Sequence, residues 1–317
     1  MRKFRWICVT VVGLVVLCVM GASGYLLHFS LQPDPNRHDT DSAYRVLYGQ
    51  LPDMKPWIDS LRNHGLLRDT FVAMPTGEKH HALYLRADSA HGRTAIVVHG
   101  YQDCAVKFLY LARMYHRNLH YNVLLPDLHA HGLSEGDAIQ MGWKDRLDVK
   151  HWVQVAEQLF RDSCCASRMV VHGVSMGAAT TMCLAGEPDL PNYLVAFVED
   201  CGYTSVWDEF RVQLAAQFSL PAFPLLYTAS GLCGLKYGWT FTEASPVKAV
   251  AACQRPMLMI HGDADSFVPF AMLADLYEAK PKPKAMWVAT GSAHARSYID
   301  NPSQYTAEVT RFLANIR

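Results

Sequence analysis

Val170-Val171-His172-Gly173-Val174-Ser175-Met176-Gly177-Ala178-Ala179 places a serine inside G-x-S-x-G, with an apolar strand-like run before it and a small-residue helical segment after it. A strand that turns sharply into a helix at such a serine is a nucleophile elbow, with the hydroxyl exposed at the head of the helix. Gly173 and Gly177 remove the side chains that would clash in so tight a turn. The helix N-terminus supplies a positive dipole end and a free N–H from Met176, both suited to an oxyanion. Ordinary glycine- and serine-containing loops also match this pattern, so the rest of the chain has to decide.

A serine hydroxyl is a weak nucleophile at neutral pH and needs a histidine base that is itself oriented by a carboxylate. Downstream, Pro256 to Ile260 is an apolar run of strand length that opens into His261-Gly262-Asp263-Ala264-Asp265-Ser266-Phe267-Val268-Pro269. Ala285 to Ala289 is a further strand-like run, ending in Thr290-Gly291-Ser292-Ala293-His294. His294 is the candidate base, and Asp263 and Asp265 compete as the acid. These motifs resemble those of the α/β-hydrolase superfamily, in which the triad follows the chain order serine, acid, histidine. The acid loop of that superfamily commonly reads G-x-x-D-x-x-V-P, matching Gly262, Asp265, Val268 and Pro269. The resemblance therefore selects the triad Ser175, Asp265 and His294, and leaves Asp263 as a turn residue capping local N–H groups.

The resemblance extends over most of the chain. Arg93 to Val98 runs into His99-Gly100-Tyr101, similar to the family's H-G-x oxyanion segment, which implies the backbone N–H of Tyr101 as the second oxyanion donor beside that of Met176. Tyr121 to Asp127 is another strand, and Leu128 to Ser134 after it resembles the family's P-D-x-x-G-H-G-x-S loop. Leu194 to Val198 ends in Glu199-Asp200. The segment after His294, Ala295-Arg296-Ser297-Tyr298 and Asp300-Asn301-Pro302, is similar to a subgroup of membrane-anchored bacterial hydrolases of esterase or lipase type.

Helical patterns alternate with these strands: Phe108, Leu109, Ala112 and Tyr115; then Trp152, Val153, Ala156, Leu159 and Phe160; and finally Tyr305, Val309, Phe312, Leu313 and Ile316. Such alternation predicts a mostly parallel central sheet flanked by helices. Thr70 to Ala73 and Ala82 to Leu85 predict an antiparallel hairpin leading into it. From about residue 204 to 245 the chain is rich in aromatics, prolines and glycines, at the place where α/β-hydrolases carry a helical cap. Trp207 and Phe223 are the candidate substrate contacts there, unless the aromatics simply cover the sheet.

The chain has 317 residues, half of them hydrophobic, with 29 basic and 29 acidic side chains. That is enough for one large core over residues 70–317. Zero formal charge, with no basic stripe or phosphate-binding loop, argues against a nucleic-acid partner. Arg2, Lys3 and Arg5 precede a nearly unbroken apolar run from Trp6 to Leu27, about the ~20 residues a bilayer-spanning helix needs. Residues 1–30 are therefore read as a membrane anchor, with the catalytic domain outside the cytoplasm by the positive-inside rule. A cleaved signal near Gly21-Ala22-Ser23-Gly24, releasing a secreted enzyme, is the alternative. Residues 31–69 are read as a linker and a small helical extension, packing through Tyr44, Leu47, Trp57, Ile58 and Leu61. The cysteines lack the spacing of a disulfide framework or a metal site, and His80-His81 and His129-Ala130-His131 read as structural, so neither metal nor cofactor is expected.

The expected activity is a serine carboxylesterase acting through an acyl-enzyme on uncharged short to medium acyl esters. A peptidase or acyltransferase would share the triad, and a binding scaffold of the same fold would have no use for it. Dehalogenase chemistry would need an aspartate where Ser175 stands.

Overall fold

The computed structural model describes residues 2–316. The chain opens with α1 (Arg2–Leu31), an apolar helix that ends just before Pro33. Two short helices follow, α2 (Thr40–Gln50) and α3 (Met54–Asn63); the Asp39 carboxylate caps the first by accepting the Ser42 N–H. Tyr44, Leu47, Trp57, Ile58 and Leu61 are all buried, so this extension packs through the apolar residues its sequence presents.

The remaining elements are β1 (Arg68–Ala73), β2 (Lys79–Leu85), β3 (Arg93–Val98), α4 (Leu109–Arg113), β4 (Asn122–Pro126), α5 (Asp145–Phe160), β5 (Arg168–Val174), α6 (Met176–Ala185) and β6 (Leu194–Asp200). After them come α7 (Val206–Phe218), α8 (Leu225–Tyr237), α9 (Pro246–Ala252), β7 (Met257–Gly262), α10 (Ala271–Ala279), β8 (Lys284–Ala289), α11 (Ser297–Asp300) and α12 (Pro302–Ala314). The pattern expected around Phe108 to Tyr115 forms three short pieces rather than one helix, because a 3₁₀ turn precedes α4 and a π turn follows it.

Among the described residues, eight strands make one sheet in the order β1-β2-β4-β3-β5-β6-β7-β8. The strands from β4 to β8 run parallel, whereas β2 is antiparallel to both β1 and β4. Side chains alternate across the central strands. Ile96 and Val98 enter the apolar layer with α5 and α6, while Ala95 and Val97 enter the layer with α2, α3 and α12. Burial on both faces is what makes β3 to β7 read as continuous apolar runs. Parallel pairing also brings the carboxyl ends of β3, β5, β7 and β8 to one edge, where sites in open α/β sheets form.

The cap is α7 and α8, inserted between β6 and α9, as its sequence position implied. The N-terminal helix does not stop at a boundary with the domain. Ser23, Leu27 and Leu31 on its last turns are buried, the Ser23 hydroxyl donates to Leu225 O of α8 (3.1 Å), and Leu31 O accepts the Ile139 N–H (2.8 Å). One face of the helix's last turns is thus packed against the domain, while Tyr25 and Phe29 on them stay exposed.

Candidate active site

Ser175 follows β5 directly and has φ 58° and ψ −120°, a region costing a non-glycine residue roughly 1–3 kcal/mol. Surrounding hydrogen bonds hold it there: its N–H donates to Asp200 O (2.8 Å), and its carbonyl accepts the Ala179 N–H (3.0 Å). A Cβ on Gly173 would lie 1.9 Å from Gly177 O, and one on Gly177 would lie 2.1 Å from Val98 O. Both glycines are therefore demanded by the close approach of strand and helix backbones.

The Ser175 hydroxyl donates to His294 Nε2 (2.8 Å), and His294 Nδ1 donates to Asp265 Oδ2 (2.7 Å). The other Asp265 oxygen accepts the Phe267 and Val268 N–H groups at 2.9 and 3.0 Å. His261 Nε2 also lies 3.3 Å from Oδ2. Burial pushes the Asp265 carboxyl upward, but hydrogen bonds from His261 and His294 outweigh it and hold the group below its usual range. Asp263 takes a different part: its Oδ1 accepts the Gly291 N–H (2.6 Å) and ties the turn before His294 to the acid loop. The Phe267 ring stands 4.9 Å from the His294 ring, centroid to centroid.

Gly100 brings the loop after β3 against the serine, since a Cβ there would lie 3.4 Å from Ser175 Cβ. Tyr101 and Met176 both border the space above Ser175. The loop is held by histidines from the resembling segments. His131 Nε2 accepts the Gln102 N–H (3.1 Å), and His99 Nε2 accepts the Leu128 N–H (3.0 Å). Burial lowers His131 to about 3, which keeps its ring neutral and able to accept.

A cavity of about 360 Å³ opens over Ser175. The cap lines it with Phe210, Leu214, Phe218 and Phe241, and the acid loop adds Phe267 and Val268. Trp207 and Phe223, the expected substrate contacts, do not line it. Trp207 turns its ring onto Tyr227 (4.7 Å between centroids) and fills the gap between α7 and α8. Phe223 precedes α8 and is 73% exposed.

Two contributors carry no signal in the sequence. One is Glu209, buried on the cavity wall: its Oε1 accepts from Gln213 Nε2 (2.9 Å), and its Oε2 has no partner among the described residues. Burial raises this carboxyl to about 8, and the Asp265 charge adds to the shift. In sequence, Asp208 and Glu209 look like ordinary acids in the first turn of a helix. The other is α1, whose Leu26, Leu27, Phe29 and Ser30 line the same cavity. Elsewhere, Glu78, His80 and His129 bring ligand-type atoms within 4.8 Å of one another, a grouping able to hold a cation; none of the three lines the cavity.

With this geometry in place, comparison defines the class as α/β-hydrolase. The prolyl oligopeptidase family is matched over residues 132–316. The Bacillus subtilis protein YqkD, uncharacterized, is 30% identical over 225 residues, covering 70% of this chain and 72% of YqkD. The chain belongs to the prolyl oligopeptidase family and is a serine hydrolase of α/β fold. The Pyrococcus furiosus esterase Pf2001 is similar in structure, with a TM-score of 0.63 and 20% identity over 81% of this chain and 93% of that one. A membrane phospholipase A, described as a bacterial virulence factor, gives a TM-score of 0.56 and 15% identity over 99% of this chain and 98% of its own. At these identities the structural likenesses speak to fold alone. One described helix, Arg2–Leu31, is long and apolar enough to cross a membrane, as an anchor or a signal sequence would be.

Proposed function

We propose that this hydrolase is a carboxylesterase for uncharged acyl esters, with Ser175 as nucleophile, His294 as base and Asp265 as its orienting acid. The observation that carries the reading is the hydrogen-bonded chain from Ser175 through His294 to Asp265 at the base of a cavity walled mainly by apolar side chains. Ser175 Oγ attacks the ester carbonyl carbon while its proton passes to His294 Nε2. The N–H groups of Tyr101 and Met176 stabilise the oxyanion. The acyl C–O bond then breaks, and the alcohol leaves with the proton from His294. Water, deprotonated by His294, attacks the acyl-serine and releases the acid. An ionised Asp265 stabilises the imidazolium in both halves of the cycle.

A peptidase reading is favoured by membership of the prolyl oligopeptidase family and by Glu209, because a carboxyl with an unpartnered oxygen in the cavity could receive a substrate amine. Burial raises that carboxyl to about 8 in the empty cavity, a shift an incoming ammonium group would itself oppose, so rates on esters and amides decide between the two readings. The experiment sets acyl esters of graded chain length beside matched aminoacyl amides, with fluorophosphonate labelling of Ser175 in parallel. Rates on esters should exceed those on amides by at least tenfold and depend on chain length, each buried methylene contributing about 0.8 kcal/mol. Amide cleavage at an equal or higher rate would replace esterase with peptidase.

A further inference from the structure

The cavity over Ser175 is not closed by the hydrolase domain alone. Leu26, Phe29 and Ser30 of α1 form part of its wall, and the hydroxyl of Tyr101, the oxyanion-loop residue, donates to Ser30 O (3.0 Å). Phe29 packs edge-on against Phe218 of the cap, with centroids 5.8 Å apart. The same helix presents a long exposed apolar surface upstream, including Trp6, Ile7, Val12 and Leu17. At 1.5 Å per residue, about 20 residues cross a hydrocarbon core of ~30 Å. Counting that length from Phe4, beside the basic cluster Arg2, Lys3 and Arg5, reaches Ser23, which is where α1 becomes buried in protein. The wall of the cavity thus begins about one helical turn past the expected edge of the bilayer.

The cap presents a second, independent feature at that level. Leu220, Phe223 and Tyr227 are exposed around the start of α8, beside Leu225, whose carbonyl accepts the Ser23 hydroxyl. Exposed aromatic and aliphatic side chains grouped next to a spanning helix match the composition of a membrane interface. This placement also gives Phe223 a physical role outside the cavity.

We propose that α1 is at once the membrane anchor and one wall of the acyl site, so that the enzyme takes acyl esters directly from the bilayer, the chain passing along α1 from lipid to Ser175. The proposal rests on the esterase reading and adds the physical state of the substrate to it. An apolar chain moving from lipid into an apolar cavity exchanges one apolar surrounding for another, with only about one helical turn of α1 to pass between them.

The test uses the full chain reconstituted in phosphatidylcholine vesicles. One probe is a dodecyl phosphonofluoridate with a terminal diazirine, dissolved in the vesicles; the other is a short, water-soluble fluorophosphonate. In each, the Ser175 Oγ–P bond forms, the P–F bond breaks, fluoride leaves and the serine proton passes to His294. The expected result is labelling of Ser175 by both probes, and photo-cross-links from the long chain to residues 26–30. Labelling by the short probe alone, or cross-links confined to the cap, would overturn the bilayer route while leaving the esterase standing. Labelling by neither would remove the esterase reading itself. In parallel, Leu26→Trp should lower hydrolysis of umbelliferyl dodecanoate in vesicles, relative to umbelliferyl butyrate in water, at least fivefold. Leu14→Ala, twelve residues back along α1 and exposed, should leave that ratio unchanged. An unchanged ratio in Leu26→Trp would also overturn the proposal.

Discussion

Asp265 and Glu209 face the same site from different parts of the molecule. Asp265, in the loop after β7, has donors for both oxygens: two backbone N–H groups on one, and His294 with His261 nearby on the other. Glu209, on cap helix α7, has a single donor from Gln213 and one oxygen with none. Both are buried, so the difference lies in the donors, and it moves their titrations in opposite directions. The strand-end half of the site is saturated with internal hydrogen bonds and holds a fixed charge. The cap half is mainly apolar, with Glu209, Gln213 and Gln217 as its polar side chains and one Glu209 oxygen without a partner among the described residues.

The comparison breaks first, and hardest, on the strand-end side. Ser175→Ala should abolish covalent fluorophosphonate labelling, and Asp265→Asn should lower kcat by about 10⁴-fold, the scale of an orienting carboxylate in a serine triad. Asp263→Asn should cost less than about tenfold, since its bond to the Gly291 N–H supports only the turn. Steady-state kinetics of the two asparagine variants decide this, and the reverse ranking would exchange their roles. A smaller effect is expected on the cap side. Glu209→Gln keeps shape and hydrogen-bonding capacity, so turnover of uncharged esters should change by less than about threefold. A tenfold loss confined to substrates with a free amine would show a charged Glu209 and favour the peptidase.

The smallest effect sharpens the rule that donors set the titration of buried acids. Glu199, buried at the end of β6, accepts the Gly202 N–H (3.1 Å) with one oxygen and has no partner for the other among the described residues. Burial raises it from 4.5 to about 8. Between those values the unfolded chain has released a proton that the folded chain retains, so this group costs stability progressively as pH rises through the window. Glu199→Gln lacks that term. Its Tm should gain on the wild type between pH 5 and pH 8, by about 3 °C or more. A constant difference across the range would show Glu199 ionised in the fold.

Chemistry that depends on short stretches is legible in the residues themselves. G-x-S-x-G, the acid loop and the histidine turn each follow an apolar run of strand length, and parallel strands necessarily bring such ends to one edge. The histidines of the two resembling loops are likewise engaged inside the fold, through the N–H groups of Gln102 and Leu128. Trp207 and Phe223 depart from their expected place in the cavity because aromatic content identifies a cap without saying which way a ring turns; Trp207 meets Tyr227, and Phe223 stands exposed on the cap's outer surface.

By itself the sequence determined the elbow, the strand ends that carry Asp265 and His294, the parallel sheet and the presence of an apolar N-terminal helix, because periodicity and turn chemistry are local. Only the tertiary structure decided that Glu209 lies in the cavity and that the last turns of α1 complete its wall. The physical reason is that an apolar face carries no label for its partner. Leu27 and Leu31 would read the same against lipid as against protein, and it is the docking of α8 and the loop before α5 that brings them into the core.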